Sequence, residues 1–211
     1  MNSNESSEKS RLILAKDLNF DKKKLQSLEL FTNEVLNYNK KYNLISKNSE
    51  NNIWHRHVLD SAQLVKFIDQ KKFKTVSDLG TGAGFPGIVL SIFFSDNRTF
   101  HVKLFEKSKV KINFIKLIKD KLSLDNIIIY DNDYQSHIID TDYVVCRAFK
   151  KLPEILKISR EIKRSHKLIV MMGKSAQEQI NKASKGMIYK YKLVPSMTES
   201  DSKILLVDAK K

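Results

Sequence analysis

The hydrophobic period of this chain changes once, about a third of the way along. Between residues 21 and 39 the apolar positions Leu25, Leu28, Phe31, Val35 and Tyr38 recur three or four apart, as on one helix face, and Asp21 stands where an N-cap belongs. The polar "KNSENN" interrupts this pattern. A second helical stretch then carries Ile53, Trp54, Val58, Leu59, Ala62, Leu64, Val65 and Ile68. Beyond "DQKKFK" short apolar runs alternate with helical patterns. Strands are expected at 75–79, 100–105, 126–130, 142–147 and 167–172, and helices at 87–94, 109–122, 152–165 and 175–184. Two further runs, 187–195 and 203–209, follow one another with no helix between them and predict an antiparallel pair.

Strand and helix in alternation predict an α/β fold: a mixed, mostly parallel seven-stranded sheet covered by helices on both faces. Residues 1–70 are expected to form a helical N-terminal cap, with 1–9 a disordered tail, and residues 71–211 the sheet-bearing core. No internal repeat or long linker interrupts either part.

Composition sharpens the picture in three places. Hydrophobic residues make up 41% of the chain, enough for a core, yet the longest uncharged apolar stretch (85–94) is too short to span a bilayer. A polar start without a signal peptide's order of regions, and a single cysteine, suit a cytoplasmic protein without disulfides. The formal net charge of +14 points to a polyanionic partner, most simply nucleic acid. An AT-rich genome explains why only six of the 38 basic residues are Arg, but less easily the imbalance with acids.

The chemistry is concentrated in "TVSDLGTGAGFPGIVLSIFF". Gly80, Gly82, Gly84 and Gly87 follow a predicted strand, where bare backbone lets a ligand come close. A phosphate loop requires Gly-Lys-Ser/Thr at its end, and none follows. A dinucleotide loop is formally matched but disfavoured by Asp78 at the strand end and by Pro86, which removes an N–H where a diphosphate would need one. An acidic strand end beside glycines suits a cationic, hydrogen-donating ligand, and S-adenosylmethionine carries both a sulfonium and an ammonium. Asp78-Leu79-Gly80-Thr81-Gly82-Ala83-Gly84 is the acidic–x–Gly–x–Gly–x–Gly motif of class I (Rossmann-like) methyltransferases. Glu106, ending the next strand, can accept hydrogen bonds from both ribose hydroxyls of a nucleoside. Tyr134 and Gln135, after the third strand, stand where such enzymes commonly recognise adenine.

The fourth strand carries no Asp/Asn-Pro-Pro-Tyr/Phe motif for an exocyclic amine. Cys146 has no adjoining proline and reads as core or pocket lining, not as a nucleophile. Arg147 at the strand end is a candidate for positioning the target. His55 and His57 do not share a helix face and lack partners for a metal set, so no metal is expected.

Three segments, "DLGTGAGFPGIVLSI", "RHVLDS" and "CRAF", together with "NKKYNLISKNSENNIWHRHVLDS", resemble the RsmG family, also called glucose-inhibited division protein B, from about residue 25 to 207. Pro86 is a feature of that family. Cys146 stands where the family usually has Ser, and an acid is common where Gln135 aligns. The resemblance implies a bacterial S-adenosylmethionine-dependent methyltransferase acting on nitrogen 7 of guanine 527 in 16S rRNA. It implies that Gly80 and Phe85 line the cofactor site, that Tyr134 and Gln135 flank the adenine, and that Arg147 sits at the cofactor and target pocket. Arg56, His57, Lys150 and Lys151 are then candidates for holding RNA. The expected partner is 16S rRNA, alone or in the 30S subunit or an assembly intermediate, and the enzyme is expected to be a monomer. Three alternatives stay open: a methyltransferase with another substrate, a dinucleotide-dependent oxidoreductase, and a non-catalytic RNA-binding module on a methyltransferase fold.

Overall fold

A computed structural model describes residues 3–183 and 190–209. Its centre is a seven-stranded sheet built from β1 (Thr75–Leu79), β2 (His101–Phe105), β3 (Ile127–Tyr130), β4 (Tyr143–Arg147), β5 (His166–Met172), β6 (Tyr191–Pro195) and β7 (Lys203–Ala209). The strand order is β3-β2-β1-β4-β5-β7-β6. The pairs among β1 to β5 are parallel, whereas β7 runs antiparallel to both β5 and β6. The strand order reverses between β1 and β4. That reversal opens a crevice at the carboxyl ends of the strands, where ligands of open α/β sheets bind.

The two faces of the sheet are separated by the period-2 alternation of strand side chains. Val76, Val102, Leu104, Tyr143, Val145, Ile169 and Ile204 belong to one buried cluster. Phe105, Val144, Cys146, Leu168, Val170, Leu205 and Val207 belong to the other. β4 is buried on both faces through Cys146, hence its unbroken apolar run.

On the first face lie α1 (Ser3–Asp17), α2 (Lys22–Asn39), α5 (Gly87–Phe94) and α6 (Lys109–Leu122). Asp21 caps α2 as expected, its side chain accepting from Lys24 N at 2.8 Å. The α2 stripe of Leu28, Phe31 and Val35 is fully buried. Phe31 meets Phe85 at 4.9 Å and Phe114 at 6.4 Å between ring centroids, so the N-terminal helices share one core with the sheet. The second face is covered by α7 (Leu152–Glu161) and α8 (Ala176–Ala183).

Several expectations needed correction. Residues 3–9, expected to be a disordered tail, form the first turns of α1. The polar "KNSENN", expected as a break, itself holds a short α3 (Lys47–Glu50), and the second helical stretch passes from π geometry (Trp54–Leu59) through α4 (Asp60–Ala62) to 3-10 geometry (Gln63–Phe67). α7 stops at Glu161, four residues early, because Ile162 is already extended at ψ 118°. Residue 184 and residues 187–189 of the predicted helix and strand lie outside the described residues.

Candidate active site

β1 delivers the glycine loop to the crevice. Gly80 N and Thr81 N both donate to Phe105 O, at 2.9 and 3.1 Å, so the loop is pinned to the end of β2 as it turns. Gly80 and Gly84 adopt φ of +72° and +96°, a region side chains rarely enter. Asp78 lies beneath the loop with no exposed surface. Its Oδ2 accepts from Gly87 N at 2.8 Å, while Oδ1 has no hydrogen-bond partner. Burial pushes this carboxyl up to about 7, against the pull of the nearby Thr81 hydroxyl and the Gly87 N–H. The sequence suggested a carboxylate facing the ligand. The structure puts it under the loop, fastening the start of α5.

Glu106 works from the other side. Its Oε2 accepts from Gly82 N at 3.0 Å, and its Oε1 accepts from Lys107 N and Ser108 N at 2.9 and 2.8 Å. One carboxylate thus ties the glycine loop to the entry of α6. With three of a carboxylate's roughly four acceptor sites in use, about one is left for a ribose hydroxyl.

A cavity of about 300 Å³ opens above these groups, lined by Gly80, Glu106, Asp133, Tyr134, Phe149 and Lys150 among others. Tyr134 meets Phe149 edge-on at 5.5 Å, and Lys150 stands 5.9 and 5.8 Å from the two rings. Phe149 lies so close over Gly80 that a Cβ there would collide with its ring. Two aromatic rings, a carboxylate and bare backbone are the donor set that a nucleoside such as that of S-adenosylmethionine requires. The residues present fit that group.

A second cavity, about 250 Å³, adjoins the first at Ala148, which lines both. Ala148 takes φ +46°, turning the chain between Arg147 and Phe149. Arg147 is held by three groups of the helical run: Nε lies 3.4 Å from Asp60 Oδ2, NH1 3.0 Å from His57 Nδ1, and NH2 donates to Arg56 O at 2.6 Å. Burial, with the charges of Arg147 and Arg56, pushes His57 down to about 3, so the ring is neutral. Because Arg147 can only donate, Nδ1 is the acceptor and Nε2, buried without a partner, carries the proton. Asp60 is the hub. Its Oδ1 also accepts from Thr198 Oγ1 at 2.7 Å and Gln63 Nε2 at 2.9 Å, while Gln63 Oε1 accepts from Met197 N at 2.8 Å. These bonds fasten the turn between β6 and β7 to the helical run.

The sequence-predicted residues therefore divide into groups. Gly80, Glu106, Tyr134 and Lys150 line the first cavity, and Arg56 and Arg147 the second. Gly82 and Gly84 shape the loop without lining either. Phe85 is buried at 6% exposure against Phe31 and His57, on the core side. Gln135 lines a separate groove with His137 and α7, and Lys151 is exposed at the N-cap of α7. Asp60, Gln63, Phe149 and the 196–202 turn were missed as site residues. Asp60 lies within "RHVLDS" and Phe149 within "CRAF", but Thr198 and Met197, the turn partners of Asp60 and Gln63, stand more than 130 positions away. Among the described residues no cluster of three His, Cys, Asp or Glu could hold a metal, and no helix is long and apolar enough to cross a membrane.

Comparison with known proteins agrees with this geometry. The family described as "GidB: rRNA small subunit methyltransferase G" matches residues 24–206. The ribosomal RNA small subunit methyltransferase G of Rickettsia akari (strain Hartford) is 37% identical over 183 residues, 87% of this chain and 93% of its own length. That of Pelagibacter ubique (strain HTCC1062) is 32% identical over 196 residues, covering 91% and 92%. Among solved structures, a SAM dependent methyltransferase from Aquifex aeolicus shares the fold at TM-score 0.51 and 17% identity, covering 71% of this chain and 88% of its own. With the match spanning glycine loop, Arg147 latch and β6–β7 hairpin alike, the chain belongs to the rRNA small subunit methyltransferase G family.

Proposed function

We propose that this protein methylates nitrogen 7 of guanine 527 in 16S rRNA, using S-adenosylmethionine, by direct in-line transfer without a covalent enzyme intermediate. Family membership carries the coarser part, methyl transfer to small-subunit rRNA. Guanine 527 and its nitrogen 7 follow from the resemblance, and the observation that supports direct transfer is that Ala148 lines two cavities, one suited to a nucleoside and the other walled by Arg147. When bound, S-adenosylmethionine supplies an electrophilic sulfonium methyl; the N7 lone pair forms the new N–C bond while the S–C pair stays on sulfur.

No proton has to leave N7 first, so the residues have orientation and electrostatics to provide, not base catalysis. Glu106 and the glycine loop hold the nucleoside, and the Arg147 latch fixes the wall between donor and acceptor. Cys146 is fully buried with its thiol pushed well above the ordinary value by burial, which leaves no thiolate for covalent chemistry. Arg56, Lys150 and Lys151 are exposed and suit rRNA phosphates, whereas Arg147 and His57 are held inside the site. The enzyme is read as a monomer, and a ribosomal substrate, free or in the 30S particle, supports a cytoplasmic location.

The test is to map 7-methylguanosine in 16S rRNA from cells with and without this protein. The methyl at guanine 527 should disappear with the protein. An unaltered pattern sinks the assignment.

A further inference from the structure

We propose that the cavity between Arg147 and the β6–β7 turn takes the target guanine, and that Glu199 recognises its Watson–Crick edge. This rests on the methyl-transfer reading above. The cavity adjoins the nucleoside pocket through the single residue Ala148, as an acceptor must adjoin a donor. Met171, Met172 and Gly173 offer it an apolar wall, and a Cβ at Gly173 would meet nothing within 4 Å, leaving room for a flat ring.

Two carboxylates line this cavity, in different states. Asp60 is occupied by Thr198, Gln63 and Arg147. Glu199 is exposed, and its carboxylate has no partner among the described residues. Its position is nevertheless set. Flanking Met197 and Thr198 are fastened by Gln63 and Asp60, and Ser202 N donates to Glu199 O at 3.0 Å. A free carboxylate on an anchored turn is a base reader in search of donors.

Guanine supplies them. N1–H and the 2-amino group point side by side from the edge opposite N7, matching the two oxygens of a carboxylate. Adenine presents a bare N1 lone pair there, which a carboxylate repels. As N7 takes the methyl, positive charge spreads over the purine and both N–H groups become stronger donors. Glu199 then binds the transition state more tightly than the ground state, and the effect falls on kcat as well as on binding.

The experiment uses small-subunit particles carrying guanosine or inosine at the target position, since inosine keeps N7 and N1–H but lacks the 2-amino group. Particle affinity is measured with S-adenosylhomocysteine present, and methyl transfer separately, for the wild type, Glu199→Gln and Glu199→Ala. The wild type should favour guanosine on the order of 10-fold. Glu199→Ala should treat both particles alike at a reduced rate, Glu199→Gln should fall between, and S-adenosylhomocysteine affinity should be unchanged in all three. Equal handling of the two particles by the wild type, or an undiminished preference in Glu199→Ala, overturns the proposal. Absence of any N7 methyl on guanosine with the wild type overturns the methyl-transfer reading, and this proposal falls with it.

Discussion

His57 shows how far one side chain's setting departs from what its spacing suggests. Read along the chain, His57 was a candidate for RNA contact; in the fold it is a neutral acceptor for Arg147, 4.9 Å from the Phe85 ring. Its pKa falls from 6.5 to about 3 on folding, so the unfolded chain binds the extra proton between those values. This stability is present above pH 6.5 and lost as pH falls toward 3. Asp78 has the opposite sign: raised from 3.8 to about 7, it favours the folded state below 3.8 and loses that contribution as pH rises to about 7. Urea titrations of wild type and His57→Gln from acid to neutral pH should show the wild type's advantage growing toward neutrality. A pH-independent difference would mean that the ring is not held neutral. Gly87→Ala tests the packing under the loop: its Cβ would lie 2.8 Å from Asp78 Oδ2 and collide with Leu104, so a loss of about 1–3 kcal/mol is expected in the same assay. Spacing alone revealed that an acid and four glycines belong together. That Asp78 turns inward depends on the neighbouring strand and helix, which no local pattern encodes.

At the scale of elements, the run from Trp54 to Phe67 passes through three helix geometries and joins distant parts of the sheet. It touches the end of β4 through Arg147 and the β6–β7 turn through Asp60 and Gln63. Asp60→Ala leaves Thr198 and the Gln63 amide without their shared acceptor and Arg147 without its counter-ion. Amide exchange across 196–202 should quicken while α5 and α6 keep their protection, with an overall loss of about 1–3 kcal/mol. Uniform exchange across the molecule would show that the turn is held by other means. Elements with a clean period were legible: the bounds of β1, α5, α6 and β7 coincide with those expected. α1 was not, because its polar residues give no apolar stripe near the start, and its buried Leu14, with Leu18 just beyond its end, declares itself only against the sheet-side core. Nor could periodicity disclose the change from π to 3-10 geometry, since the same apolar residues serve all three helix types.

For the whole molecule, the +14 charge predicts that rRNA affinity falls steeply with salt, by at least about tenfold between roughly 50 and 200 mM, whereas S-adenosylhomocysteine affinity changes little. Parallel titrations of the two ligands check this, and a salt-insensitive RNA affinity would argue against phosphate contacts by Arg56, Lys150 and Lys151. A mostly parallel sheet with an antiparallel finish was foreseeable from alternation; the fusion of the N-terminal helices into one core with the sheet was not. The burial of Cys146 in the middle strand of that sheet has a practical use. As the chain's one thiol, inert while β4 is paired on both sides, it is a built-in clock. The rate at which a thiol reagent consumes it in dilute denaturant counts how often the whole sheet opens, with no label added.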